Sequence, residues 1–184
     1  YTLDILPNAQ LMFGNAESVT DDLDLLLIDP KLLHHTPQSD SPIDRPLTVG
    51  IDFGTSCVKC VIGDRNNNKY AYAIPFLKGI GINSYLLPSL LYEDDGVFSL
   101  SQKRIVHNNL KLGFLDSPND TDCQVHMVAF MALVIRHSVA WFLSEYKNDY
   151  LNSNILWALN TGVPTPQNGK ASLIKRYKNL ARAA

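Results

Sequence analysis

The sequence predicts an α/β fold: a mixed sheet that begins as an antiparallel hairpin meander, one long helix and a C-terminal helix. Three observations carry this. Leu47, Val49, Ile51 and Phe53 alternate with Thr48, Gly50 and Asp52 at the two-residue period of a strand, and the β-branched run 58–62 follows directly after Gly54-Thr-Ser. Apolar residues recur at helical spacing over 125–146. A last apolar run, 154–160, ends at Thr161-Gly-Val-Pro164 and is followed by a basic helical pattern over 170–184.

Two strands joined by a short turn of small residues fold back on each other, so 47–53 and 58–64 form a hairpin. Arg65-Asn-Asn-Asn68 is a turn, and 69–74 alternates as a third strand, completing an antiparallel meander. Residues 76–87 contain glycine and are irregular. Residues 88–101 then read as a second hairpin around Asp94-Asp-Gly96. Asp120-Thr-Asp122 supplies N-cap candidates for a helix running to about residue 146. Val125, Val128, Ala129, Ala132, Ile135, Val139, Phe142, Leu143 and Tyr146 make its stripe. Phe130, Met131, Leu133 and Val134 broaden it, so its first half is expected to be buried on most sides, with His126 and His137 structural. The run 154–160 is apolar enough for a central strand. In the last helix Leu173, Ile174, Tyr177, Leu180 and Ala181 are expected to face a core. Lys170, Lys175, Arg176, Lys178 and Arg182 then read as a solvated face rather than a nucleic-acid contact.

At 184 residues, 46% hydrophobic and 18% charged, the chain can bury one real core, which excludes a disordered protein. A net charge of −2 gives no global pull toward nucleic acid or anionic membrane. Residues 1–50 carry eight acidic and two basic residues against ten and fourteen in the remainder, which divides the chain into an acidic extension and linker (1–46) and a body (47–184) with an insert over about 75–120. The extension reads as a short strand or helix that docks through 23–28 on the body or on a partner, or as a loosely packed leader. Three prolines make 34–46 a plain linker, in which His34-His35 is a solvated pair. Cys57, Cys60 and Cys123 are odd in number. Three residues apart in a strand, Cys57 and Cys60 face opposite sides, which argues against zinc and for reduced thiols in the cytoplasm. The start lacks a basic n-region, and the longest apolar run, 125–135, is too short to span a membrane. A first residue other than methionine implies a fragment or a processed chain.

Chemistry gathers at 52–59. A glycine at the tip permits positive φ and close approach of a ligand, and the N–H groups of Gly54, Thr55, Ser56 and Cys57 can converge on an anion. Thr55 and Ser56 add hydroxyls, and Asp52 stands where Mg²⁺ accompanying a phosphate would be held. Lys59 supplies a compact positive charge for phosphate oxygens. An ordinary tight hairpin with a surface aspartate would carry the same residues.

The string Val49-Gly-Ile-Asp52-Phe-Gly54-Thr55-Ser56 resembles the first phosphate loop of the actin, sugar-kinase and heat-shock-chaperone ATPase superfamily, most closely its DnaK-type chaperones. Lys59 is instead similar to the lysine that actins and many sugar kinases place at this offset. Further along, Pro88-Ser89, then Lys103, then Asn109-Leu-Lys-Leu-Gly113 and Gly162-Val-Pro164 occur in the chaperone order. The resemblance implies a ribonuclease H-like, actin-type ATPase lobe that uses ATP and Mg²⁺ for phosphoryl transfer to water. Asp52 would hold the metal and its waters, Gly54, Thr55, Ser56 and Cys57 would bind nucleotide, and Lys59 and Lys103 would act with Asp52 in catalysis. Lys103 reads better, from the residues themselves, as half of a solvated Lys103-Arg104 pair. Implied partners are the nucleotide, a second lobe and C-terminal domains of the same protein, and a protein client or co-regulator, with neither nucleic acid nor membrane. The resemblance spans 47–184, which is the first lobe only, and no second Asp-Gly-Gly loop is present, so a fragment inactive alone is implied. Two other readings stay open: a sugar-kinase-like phosphotransferase, resting on Lys59, and a non-catalytic interaction module that keeps the fold.

Overall fold

The computed structural model describes residues 10–11, 25–26, 28, 33–67, 70–163 and 170–184. These form β1 (Gln10–Leu11), β2 (Ile43–Phe53), β3 (Cys57–Asp64), β4 (Ala71–Ala73), β5 (Leu87–Pro88), β6 (Leu91–Asp94), β7 (Val97–Ser99), β8 (Ile105–His107) and β9 (Ser153–Thr161). The helices are α1 (Leu110–Asp116), α2 (Thr121–Tyr146) and α3 (Lys170–Ala183). The architecture is mixed α/β with two sheets. In the larger sheet the order is β4-β3-β2-β9, with β5 added beside β3. The strands β2, β3 and β4 form the antiparallel meander, while β9 lies parallel to β2. The smaller sheet has the order β1-β7-β6-β8.

The alternation in β2 does what a half-buried strand requires. Leu47, Val49, Ile51 and Phe53 are buried with Val58, Cys60 and Ile62 of β3, and the face they share packs into one core with α2. Phe53 meets Phe130 of α2 at 5.6 Å between ring centres. Full burial of each such side chain stabilises by about 1.5–3 kcal/mol. The helix starts where the sequence says it should: the Asp120 carboxylate accepts from the N–H groups of Asp122 and Cys123 at 2.9 and 3.2 Å, satisfying two donors that the helix itself leaves unpaired. Residues 127–134 are buried without interruption. By length and composition the segment Thr121–Tyr150 could cross a membrane, but 72% of its most apolar window is buried within the fold. On the second hairpin Asp95 and Gly96 both take positive φ, 48° and 77°, as a tight turn matched to strand twist demands.

At the far end of the β2–β3 hairpin the buried Asp64 is satisfied from three sides. Arg45 lies 3.6 Å away, the Asn66 N–H donates at 2.8 Å and the Tyr150 hydroxyl donates at 3.4 Å. Burial, then the Tyr72 hydroxyl and Asp64, push the Tyr150 phenol well above its ordinary range.

Three sequence expectations change, and for the extension the open alternative of docking on the body is the one supported. The stretch 34–46 is not a plain linker: β2 already begins at Ile43, Gln38 donates its N–H to the Leu151 carbonyl, and His35 donates to the Ser153 carbonyl at 3.1 Å. His35 is therefore not simply solvated, since the chain needs an anchor to align β2 with β9. The acidic extension joins the body as well. The buried Leu25 bridges to Leu77, Leu26 donates to Phe76, and β1 pairs with β7; Leu23, Leu27 and most of residues 1–32 lie outside the described residues. The strand β9 stands at the end of its sheet's order rather than in the middle, with Leu156 and Trp157 substantially exposed. A continuous apolar run permits burial on both faces but fixes neither that burial nor the strand's place in the order. Finally, Tyr177 and Leu180 of α3 are buried, but Ile174 is 43% exposed, because it lies at the edge of the contact stripe formed by Leu173, Tyr177 and Leu180. Asn68 of the turn, the first residue of the 69–74 strand, Pro164 and the Lys170 side chain lie outside the described residues.

Candidate functional site

The tip of the β2–β3 hairpin is set by its strands. Phe53 pairs with Val58, and the Gly54 N–H donates to the Cys57 carbonyl at 3.0 Å, closing a four-residue turn with Thr55 and Ser56 exposed at its apex. Gly54 is needed for room and not for an unusual backbone angle. Its φ is not in the positive range, whereas a Cβ there would stand 2.6 Å from the Cys57 carbonyl oxygen, closer than real side chains come. The expected positive φ is thus replaced by close approach of two backbone segments. That closure also removes one proposed anion donor, since the Gly54 N–H already has a partner. The proposed N–H donors left are those of Thr55, Ser56 and Cys57.

Asp52 and Lys59 are direct cross-strand partners, so their side chains leave the same face of the sheet. Lys59 Nζ lies 3.3 Å from the Asp52 carboxylate, with the side chains 54% and 72% exposed. The carboxylate offered to a cation and the ammonium offered to phosphate are therefore engaged with each other. In water such a pair contributes about 0–1 kcal/mol, little enough for either partner to be exchanged for a ligand.

Two residues that the sequence alone does not assign to the loop hold it in place. The buried Ser89 donates its hydroxyl to the Gly54 carbonyl at 3.0 Å and its N–H to the Ser56 carbonyl at 3.0 Å. Lys111 of α1 donates to the Phe53 carbonyl at 2.6 Å and stands 5.8 Å from the centre of the Phe53 ring. The sequence did show Pro88-Ser89 and Lys111 in order, but the distances that make them loop residues are tertiary. Lys103, by contrast, is exposed in the connection between β7 and β8 of the smaller sheet. The structure thus joins Asp52, Gly54, Thr55, Ser56, Cys57 and Lys59 in one tip and sets Lys103 on another element. Beside the tip, β9 finishes next to β2: Thr161 pairs with Ile51, the Gly162 N–H donates to the Ile51 carbonyl at 3.3 Å, and the space around Gly162 Cα is open.

The thiols diverge as the strand period requires. Cys60 is buried among core residues and its thiol is pushed up to about 11 by burial, with Ser138 opposing, while Cys57 lies on the other face. All three cysteines are free. His137 is buried, donates to the Pro75 carbonyl at 2.9 Å and stacks on Phe76. His126 stacks on His107 with 3.8 Å between ring centres.

Compared with protein-family models, with curated proteins and with solved structures, the chain matches none.

Proposed function

We propose that this chain is a nucleotide-binding lobe of the actin-like ATPase type, nearest the heat-shock-chaperone branch, whose β2–β3 tip receives the phosphates of Mg²⁺–ATP. The observation that carries the reading is the strand order β4-β3-β2-β9, with the Gly54-Thr55-Ser56 turn at the open end of two adjacent parallel strands. In open α/β sheets ligands bind beyond the carboxyl ends of the strands. The residues present suit the group. Thr55 and Ser56 are exposed with hydroxyl and N–H donors, Gly54 keeps the backbone bare, and Asp52 is open to solvent as a ligand for a hard cation or its waters. Bound Mg²⁺ would supply charge neutralisation at the phosphates. Lys59, released from Asp52, is within reach of phosphate oxygens. Phosphoryl transfer needs little covalent help from the protein, so positioning by this rigid tip and by the donors around it is the main contribution.

On this reading the lobe is one wall of a cleft in a cytosolic protein, and nucleotide state sets its angle to a second lobe. One wall buries little of a ligand, so binding by this chain alone is expected to be weak. Titration of ¹⁵N-labelled protein with Mg²⁺–ATP tests it. Amide shifts concentrated at 52–57 and abolished in Asp52→Asn are expected. Silence of those amides at millimolar nucleotide overturns the reading and favours an interaction module.

A further inference from the structure

Glu93, His107 and His126 bring three metal-ligating side chains together from three different elements, with their ligand atoms all within 4.8 Å of one another. We propose that they bind a divalent first-row transition ion of the zinc class, which ties the smaller sheet to the first turns of α2. The site is separate from the β2–β3 tip and does not depend on nucleotide binding there.

The geometry follows from strand register. Leu91 stands opposite His107 and Glu93 opposite Ile105, so Glu93 and His107 leave the same face of β6 and β8 as diagonal neighbours. Phe98 of β7, opposite Glu93, lies on that face too and is buried. Its ring meets both imidazoles edge-on, at 6.3 Å from His107 and 5.6 Å from His126, and so makes an apolar floor. His126 descends on this face from α2. His107 Nε2 lies 2.7 Å from a Glu93 carboxylate oxygen, and the two imidazoles are stacked with 29° between their planes.

Hydrogen bonding alone accounts poorly for this arrangement. Two stacked imidazoles beside one carboxylate repel when both are protonated, and among the described residues the carboxylate's hydrogen bond goes to His107. One divalent cation satisfies all three, drawing a lone pair from each ring and an oxygen from Glu93. Ligand atoms around a four-coordinate zinc are about 3.3 Å apart, so the 2.7 Å His107–Glu93 contact opens and the wider separations, all within 4.8 Å, close by up to about 1.5 Å on loading. Imidazole nitrogen with one carboxylate selects zinc, cobalt, nickel, copper or iron over magnesium and calcium, which prefer all-oxygen shells. Three protein ligands leave a position for water or an exogenous group.

The test uses chelator-stripped protein titrated with Co²⁺. One ion per chain is expected, with visible d–d absorption of a low-coordinate site that Zn²⁺ abolishes by competition. Affinity should fall about 100-fold or more in His107→Ala and His126→Ala, and about 10-fold in Glu93→Gln, which keeps one oxygen donor. His126→Gln serves if the alanine variant fails to fold, with near-ultraviolet circular dichroism of the metal-free proteins as the check. A His34→Ala/His35→Ala variant should bind as wild type. No Co²⁺ binding by the folded wild-type protein, or equal binding by a folded His107→Ala/His126→Gln variant, overturns the site.

Discussion

At the β2–β3 tip the polar groups come from residues 52–59, and Asp52 and Lys59 point into water; at the smaller sheet they come from positions 93, 107 and 126 and are half-buried against Phe98. The first arrangement is held by backbone hydrogen bonds beneath it, through Gly54, Cys57 and Ser89. The second is held by the side chains themselves. Side-chain changes at the tip should therefore alter chemistry with little loss of stability, whereas the tip's supports and the chain behind it should show the reverse.

The support with the largest expected effect is Phe53. It is 1% exposed and contacts Phe130, so Phe53→Ala should lower unfolding free energy by about 3–5 kcal/mol, read from the denaturant midpoint. Co²⁺ binding near Phe98 should survive in whatever fraction stays folded. Loss of both together would mean that the two regions are not independent.

Gly54 comes next. A Cβ there meets backbone, which cannot swing away, so Gly54→Ala should cost about 1–3 kcal/mol through displacement of the turn. Gly162→Ala is the internal contrast: a Cβ at that position would meet nothing within 4 Å among the described residues, and the change should stay within about 0.5 kcal/mol. Equal effects at the two glycines would remove the close-approach account of the tip.

This contrast also shows what was legible in the sequence. The hairpin, its Gly-Thr-Ser turn and the helix start at Asp120 are local, written in residues a few places apart, and period-2 alternation or capping chemistry exposes them. The reason for Gly54 was not legible, because positive φ and close approach both ask for glycine, and only the position of the Cys57 carbonyl decides between them. Ser89 reaches the loop from 35 residues away. Glu93, His107 and His126 have no shared spacing at all: strand register and the descent of α2 create their contact. The place of β9 in its sheet was hidden for the same reason.

His137 ties the segment between β4 and β5 to α2, through the Pro75 carbonyl. Burial, opposed by that hydrogen bond, lowers its pKa in the folded protein. Above the unfolded value of about 6.5 both states are neutral and nothing is lost; as pH falls below it, the unfolded chain takes up a proton that the folded one resists, so stability declines. Melting temperature should fall between about pH 7.5 and about pH 5.5, and fall less in His137→Gln. An unchanged slope in the variant would assign the acid sensitivity elsewhere. Of similar or smaller size, Ser89→Ala should cost about 1–1.5 kcal/mol by leaving the Gly54 carbonyl without its partner, and should broaden the amide signals of 54–57.

The smallest expected effect is the most informative about the tip. In a double-mutant cycle of Asp52→Asn and Lys59→Met, the coupling energy should be about 0.2–1 kcal/mol at low salt and should fade as ionic strength rises, since both groups are exposed and screened. A weak coupling is what a ligand site requires here. A cation at Asp52 and a phosphate at Lys59 each displace the other's partner, and a strong pair would tax both. A coupling well above 1 kcal/mol that persists in high salt would make the pair a structural strut across the hairpin, and the tip would then resemble the self-held cluster on the smaller sheet.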